Sequence, residues 1–309
     1  MSSPISSLQS LVSNLPMISV LITAFREAAT VGKAIEAFLP QLGPEDELLV
    51  VCPDEETTAV TLSYAAAHPQ IRHIRDPQQG KPAALNVGLA AAHGDIVVFS
   101  DGDVWVAPDA LAPLLAPFAD EGVGAVTGRP CSASPRTTQL GYWSHLLTDG
   151  AHRERLRRDS GGDFLLCSGY LFAARRALLP PIPEDALAED AVISQMIAAQ
   201  GRRIRYAPEA RVYVKYPTTY ADWLRQKVRS AGGYAQEIVR QSPYQMRSAR
   251  LEALHGTRLA LRYPQSLREF GWTLALFAAR LHLWALVFWQ VRVRKRPLAQ
   301  LWQRVETTK

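Results

Sequence analysis

Two aspartates flank a single glycine at Asp101-Gly102-Asp103, directly after the run Gly94-Asp95-Ile96-Val97-Val98-Phe99-Ser100. Ile96 to Phe99 are β-branched or aromatic, which is the pattern of a buried strand in a parallel sheet. Carboxylates at the carboxyl end of such a strand are costly unless a cation meets them, and that edge is where open α/β sheets bind ligands. The one-residue spacing lets Asp101 and Asp103 lean toward one hard divalent cation, which prefers oxygen ligands and keeps phosphate oxygens in its shell. An Asp-Gly-Asp after a strand is equally a plain turn, since these residues favour turns. The rest of the chain decides between the two.

Three other groups bear on that decision. Glu189-Asp190 follows Pro180-Pro-Ile-Pro183 and opens a helix. Carboxylates at a helix N-terminus are stabilised as caps. Near a metal-bound phosphate, such a carboxylate instead suits a general base for an acceptor hydroxyl. Gln226-Lys-Val-Arg229 places an amide and a guanidinium on one helix face, able to hold a diphosphate or sugar hydroxyls, or else simply solvated. Gly80-Lys81-Pro82 sets Lys81 beside a helix N-terminus, an anion site. It is not a P-loop, because the upstream glycine and the following Ser/Thr are missing. Gly122-Val-Gly124 falls within a strand pattern and is no dinucleotide fingerprint, and no serine-hydrolase or zinc-protease motif occurs.

Alternating strand and helix signals must position these groups, as in a doubly wound parallel sheet. Strands are expected at Ile18–Thr23, Glu47–Cys52, Ile71–Ile74, Ile96–Phe99 leading into Asp101-Gly102-Asp103, and Gly122–Gly128, with helices at Glu27–Leu39, Glu56–His68, Pro82–His93 and Pro108–Ala119. Gln139–Arg158 reads as a helix, Phe164–Ala174 as a strand and turn, Ala188–Gln200 as a helix, and Arg203–Tyr216 as one or two strands. Three scattered cysteines, Cys52, Cys131 and Cys167, argue against a disulfide framework or structural zinc.

At 309 residues, 48% hydrophobic and 20% charged, the chain is neither disordered nor wholly membrane-embedded. The net charge of +5 hides an asymmetry: residues 1–222 carry 18 Lys+Arg against 25 Asp+Glu, and residues 223–309 carry 16 against 4. A basic section joined to an acidic body suggests an anionic partner surface. Residues 270–289 are apolar at 16 of 20 positions, with Arg280 and His282 in the middle. One central Arg costs about 2.5–3.5 kcal/mol on an insertion scale, so spontaneous spanning is marginal. Trp272, Trp284, Trp289, Trp302 and the cluster Arg292–Arg296 suit an interfacial location beside anionic lipid. Thr273 and Arg280 share a helical face and His282 lies nearly opposite, so the segment is not cleanly amphipathic; a buried helix packed on the body is the alternative. Residues 1–16 lack a secretory signal, which puts the site on the cytoplasmic face of the membrane. No nucleic-acid-binding motif accompanies the basic section.

The order of these motifs resembles the inverting glycosyltransferases of family 2, which have the GT-A fold, especially the polysaccharide and lipid-sugar synthases. The resemblance covers residues 17–235. Thr23-Ala-Phe-Arg-Glu27 looks like the opening Pro-x-Tyr-Asn-Glu, keeping Ala24 and Glu27. Gly80-Lys81 with Ala84-Leu-Asn86 resembles Gly-Lys-x-x-Ala-Leu-Asn, Asp101-Gly-Asp103 the metal motif, and Glu189-Asp190 the motif whose aspartate is the base. Asp54 is similar to the acidic residue that reads the nucleotide base, although Val51-Cys-Pro-Asp54 departs from the usual Asp-Asp-Gly. Gln226-x-x-Arg229 matches Gln-x-x-Arg-Trp except that Ser230 replaces Trp.

The resemblance implies a GT-A catalytic domain over 17–222, preceded by a tail (1–16). A helical, basic and partly apolar region follows over 223–309, with a membrane-associating segment at 270–296. It implies a hexosyltransferase (EC 2.4) using a nucleotide-diphosphate sugar and Mn²⁺ or Mg²⁺, held by Asp103 with Asp101. Asp190 is then the base, and Ala24, Glu27, Asp54, Lys81, Asp101, Gln226 and Arg229 lie on the donor side. Ser168, Gly169 and Glu189 lie on the side of a lipid-linked or saccharide acceptor. The missing tryptophan at Ser230, which stacks on the acceptor in processive relatives, favours single transfers. A sugar-nucleotide pyrophosphorylase is the runner-up, weakened by the absence of a glycine-rich loop after the first strand. A catalytically inactive, membrane-associated binding module is the non-enzymatic alternative.

Overall fold

The computed structural model describes residues 16–234, 242–244 and 256–289. An eight-stranded mixed sheet runs through its centre, in the order β3-β2-β1-β4-β7-β6-β8-β5. The strands are β1 (Ile18–Thr23), β2 (Glu47–Cys52), β3 (Ile71–Arg75), β4 (Ile96–Asp101), β5 (Val104–Val106), β6 (Val123–Ser132), β7 (Leu171–Arg175) and β8 (Arg203–Val214). The helices are α1 (Val31–Phe38), α2 (Glu55–Ala67), α3 (Lys81–Ala91), α4 (Leu111–Leu115), α5 (Gln139–Gly161), α6 (Glu189–Ala199), α7 (Tyr220–Tyr234), α8 (Thr257–Arg262) and α9 (Leu267–Phe288).

β1, β2 and β4 are buried along nearly their whole length, because helices cover both faces of the sheet and leave no solvent side to select polar residues. One face packs Val31, Ile35 and Phe38 of α1 with Leu111 and Leu114 of α4. The other packs Ala84 and Leu85 of α3 with Val192, Ile193 and Ile197 of α6.

β1, β2, β3 and β4 pair in parallel. The sheet is mixed, as the expected GT-A fold with its mostly parallel sheet allows, and β7 runs antiparallel to both β4 and β6. β5 was not foreseen at all; it lies antiparallel to β8 and takes residues that follow the Asp101-Gly102-Asp103 turn. The helix expected over 108–119 is shorter, α4 followed by a 3-10 turn at Ala116–Ala119. From β1 the chain proceeds outward through β2 and β3, then returns to place β4 on β1's other side. The carboxyl ends of β1 and β4 therefore form a switch point of the kind that opens a ligand crevice. Thr23 and Asp101 are partners in that register.

A third apolar cluster joins Tyr142, Trp143 and Leu146 of α5 with Trp223 of α7, Ala260 of α8, and Leu276 and Ala279 of α9. α9 starts at a capping box: Ser266 accepts from Glu269 N at 3.2 Å, and Glu269 accepts from Gln265 N at 2.7 Å. Arg136 grips the Glu269 carboxylate with two donors, at 2.9 and 3.1 Å. The buried line Thr273, Leu276, Ala279, Leu283 seats α9 on the body. Large apolar residues also stay exposed on it: Leu267, Phe270, Leu274, Leu281, Trp284 and Phe288. Their spacings of three, four, seven, three and four residues put them on one outward stripe. His282 is turned aside and meets the Tyr220 hydroxyl at 2.9 Å. Helix α9 is long and apolar enough to cross a membrane by length and composition alone. Arg292–Arg296 and Trp302 lie outside the described residues.

Candidate active site

The crevice at the carboxyl ends of β1 and β4 is lined by Thr23, Lys81, Ser100, Asp101, Glu189 and Asp190. Gly80, at φ 101°, turns the chain into α3, a conformation that favours glycine, and Pro82 fits the first turn. That entry delivers Lys81 to the crevice. Its Nζ lies 2.7 Å from Asp101 Oδ1 and 2.8 Å from Glu189 Oε1. Burial opposes the charge on Lys81, but the two carboxylates outweigh it and hold the ammonium well above its ordinary pKa. The lysine read from sequence as an anion-site residue thus also ties the end of β4 to the start of α6.

Asp190 sits in the first turn of α6. Its Oδ2 accepts from Gly169 N at 3.0 Å and its Oδ1 from Ala191 N at 2.8 Å. Burial pushes the Asp190 carboxyl above its ordinary pKa, with the Glu189 charge next; Lys81 and the two N–H donors pull it back. A carboxyl raised in this way is suited to take a proton.

Gly102 is fixed by crowding. A Cβ there would stand 2.6 Å from Glu27 Oε2 and 2.7 Å from Ala24 Cβ, so both residues of the opening motif press on the Asp101-Gly102-Asp103 turn. Asp54 caps α2, accepting from Thr57 N at 3.0 Å and Thr57 Oγ1 at 2.7 Å, and it also accepts from Arg26 N at 2.7 Å. Burial opposes the charge on Asp54, but these donors outweigh it and hold its carboxyl below the ordinary value. Ser168 N donates to Thr127 Oγ1 at 2.9 Å and its carbonyl accepts from Leu171 N at 3.0 Å, which shapes the turn that presents Gly169.

Tyr170, next in that turn, carries no motif in the sequence. Its phenol is raised first by burial and then by the charges of Asp103 and Asp101, while Arg229 and Lys81 act oppositely. Gln226, one turn before Arg229, has its Oε1 buried with no hydrogen-bond donor among the described residues.

The site thus brings Lys81 into contact with Asp101 and Glu189, and Asp190 into contact with Gly169. Ala24 and Glu27 back the Asp101-Gly102-Asp103 turn, and the charges of Asp103 and Arg229 act in opposite directions on the Tyr170 phenol. Asp54 sits at the N-terminus of α2, bonded to the backbone of Arg26.

Several known proteins are similar to this chain. The probable glycosyltransferase YdaM of Bacillus subtilis is 26% identical over 71% of this chain and 55% of its own. The poly-β-1,6-N-acetyl-D-glucosamine synthase of Staphylococcus aureus is 25% identical over 74% of this chain and 57% of its own. The chain spans about half the length of the curated relatives it matches. Among solved structures, the mannosyltransferase PcManGT of Pyrobaculum calidifontis, in complex with GDP-Man and Mn²⁺, superposes with a TM-score of 0.62. It is 24% identical, over 94% of this chain and 84% of that one. Glucosyl-3-phosphoglycerate synthase of Mycobacterium tuberculosis, with Mn²⁺, UDP-glucose and phosphoglyceric acid, superposes at 0.52. It is 21% identical, over 78% of this chain and 84% of that one. These two establish the fold. The model of glycosyltransferase-like family 2 matches residues 16–233, and the chain belongs to that family.

Proposed function

We propose that this chain is an inverting, metal-dependent glycosyltransferase moving a sugar from a nucleotide-diphosphate sugar to a hydroxyl of a lipid-linked or saccharide acceptor. The observation that carries this reading is the convergence of Lys81, Asp101, Glu189 and Asp190 at the switch point between β1 and β4. The relatives named as glycosyltransferases, and the donors and ions bound by the structural neighbours, support it.

Asp101 and Asp103 fit Mn²⁺ or Mg²⁺, because such ions bind through one or two carboxylates and complete their shell with substrate phosphates and water. Among the described residues no three His, Cys, Asp or Glu side chains gather into a ready cage, so donor phosphates have to supply the rest. When bound, the ion offsets charge on the leaving diphosphate. Arg229 and Lys81 add positive charge beside it. Asp190 takes the proton from the acceptor hydroxyl, whose oxygen attacks the anomeric carbon opposite the departing diphosphate and inverts it. Ala24, Glu27, Asp54 and Gln226 serve the donor side, and Ser168, Gly169 and Glu189 the acceptor side.

Ser230 offers no aromatic face for a growing chain, which favours one transfer per encounter. Long products from purified enzyme and labelled donor would contradict that. The outward apolar stripe of α9 and the basic excess after residue 222 support a place on an anionic, cytoplasm-facing membrane surface. In this reading 17–222 is the catalytic body and 223–309 a membrane-associating region.

A thermal-shift panel of nucleotide sugars with and without Mn²⁺ tests the class. The expected result is stabilisation by one nucleotide's sugars that needs the ion; no response across the panel would sink the reading.

A further inference from the structure

A second cleft lies between α5, α9 and the segment that leads from β8 into α7. It encloses about 700 Å³, within the range of about 300–1,000 Å³ typical of ligand pockets. Trp143, Tyr216 and Tyr220 form one wall, and Ala275, Ala278 and Ala279 the other. No lining residue is charged. The small side chains of α9 leave the space open, and the aromatic rings offer apolar area without filling it.

The cleft is continuous with two features at its ends. Ala278 lies four residues after Leu274 and three before Leu281, so the mouth borders the exposed apolar stripe of α9. At the other end Tyr216 and Tyr170 pack against the same apolar cluster. Tyr170 directly follows Gly169, whose N–H donates to Asp190 Oδ2 at 3.0 Å. The cleft residue Tyr216 thus shares an apolar cluster with Tyr170, the neighbour of the glycine that holds Asp190. A hydrocarbon chain suits this cleft, since an uncharged lining neither attracts nor satisfies an ionic ligand.

We propose that this cleft binds the hydrocarbon chain of a lipid-anchored acceptor, with its mouth at the membrane-facing stripe of α9 and its inner end at Tyr216. The proposal rests on the transferase reading and narrows the acceptor to an amphiphile.

The test uses the full chain and 12-bromododecanol, whose bromine quenches tryptophan fluorescence on contact, with 2-bromoethanol as the chainless control. Trp143 reports from the cleft wall. Saturable quenching by the long probe alone is expected. Ala278→Phe, at an exposed helix position, narrows the mouth and should raise the half-saturation concentration about tenfold or more; Ala275→Leu should act in the same direction. Equal half-saturation in wild type and both variants, or quenching that never saturates, overturns the proposal. Binding that emerges only after residues 290–309 are deleted assigns the cleft to the chain's own C-terminal segment and overturns it too. Nucleotide-sugar stabilisation is read separately on the same proteins. Saturable chain binding without it upholds the cleft and removes the transferase reading instead.

Discussion

The backbone N–H of Gly169 donates to Asp190 Oδ2 at 3.0 Å. That bond joins the turn before β7, which carries Tyr170, to the first turn of α6. It aims one carboxylate oxygen of Asp190 while Ala191 N holds the other at 2.8 Å. Lys81 approaches from α3 and meets Asp101 and Glu189. Four separate chain segments thus fix the charges of the crevice relative to one another.

In the proposed reaction Lys81 sets the acid limit of turnover. Its ammonium lowers the pKa of Asp190, which burial and Glu189 raise. In Lys81→Met that restraint is gone and the Asp190 carboxyl rises further. A base works only when deprotonated, so the acid limb of the pH–rate profile moves to higher pH than in wild type. An unchanged acid limb would separate Lys81 from the titration of Asp190.

Gly102→Ala brings a Cβ to 2.6 Å from Glu27 Oε2 and 2.7 Å from Ala24 Cβ. Crowding of this kind costs about 1–3 kcal/mol. Urea unfolding should show that loss with an unchanged slope. Activity should fall as well, because the displaced turn carries Asp101 and Asp103.

Asp54→Ala removes the cap of α2 and the tether to Arg26. Loss of such a cap costs about 0.5–2 kcal/mol at neutral pH. The folded-state pKa of Asp54 is depressed, so its contribution is present above the ordinary carboxylate value and disappears as pH falls through the folded one. Denaturation curves of wild type and variant should therefore converge in acid. A gap that persists at low pH would mean that charge is not what Asp54 contributes.

The parts of this site visible in the sequence are those where local chemistry and position coincide. β4 was legible because a strand covered on both faces reads as a continuous apolar run. Glu189 and Asp190 were legible as the opening of a helix after a proline-rich approach. Ion pairing across the crevice was not. Nothing near Lys81 in the chain announces that α3 begins where β4 ends, so its two carboxylate partners emerge only from the strand order. The antiparallel setting of β7 is hidden for the same reason, since Leu171–Arg175 is apolar enough for either direction. β5 is three residues long, too short for periodicity to register. Tyr170 carries no motif, and only the Gly169–Asp190 bond and the neighbouring charges mark it. The two-sided apolar character of α9 was blurred by Arg280 and His282, which the structure places beside the outward stripe rather than within it.

The central claim is that Asp190 accepts the proton from the acceptor. Asp190→Asn, with one carbonyl acceptor in place of two oxygens, keeps the side chain's size and removes its basicity. The folded-state pKa of Asp190 is raised, so any stability its titration contributes is full in acid and already lost at neutral pH. The variant should therefore fold at neutral pH. Turnover with labelled nucleotide sugar should drop about 10²–10⁴-fold, while Mn²⁺-dependent stabilisation by that nucleotide sugar stays at the wild-type level. A variant that keeps turnover within a few fold of wild type would contradict the assignment of the base.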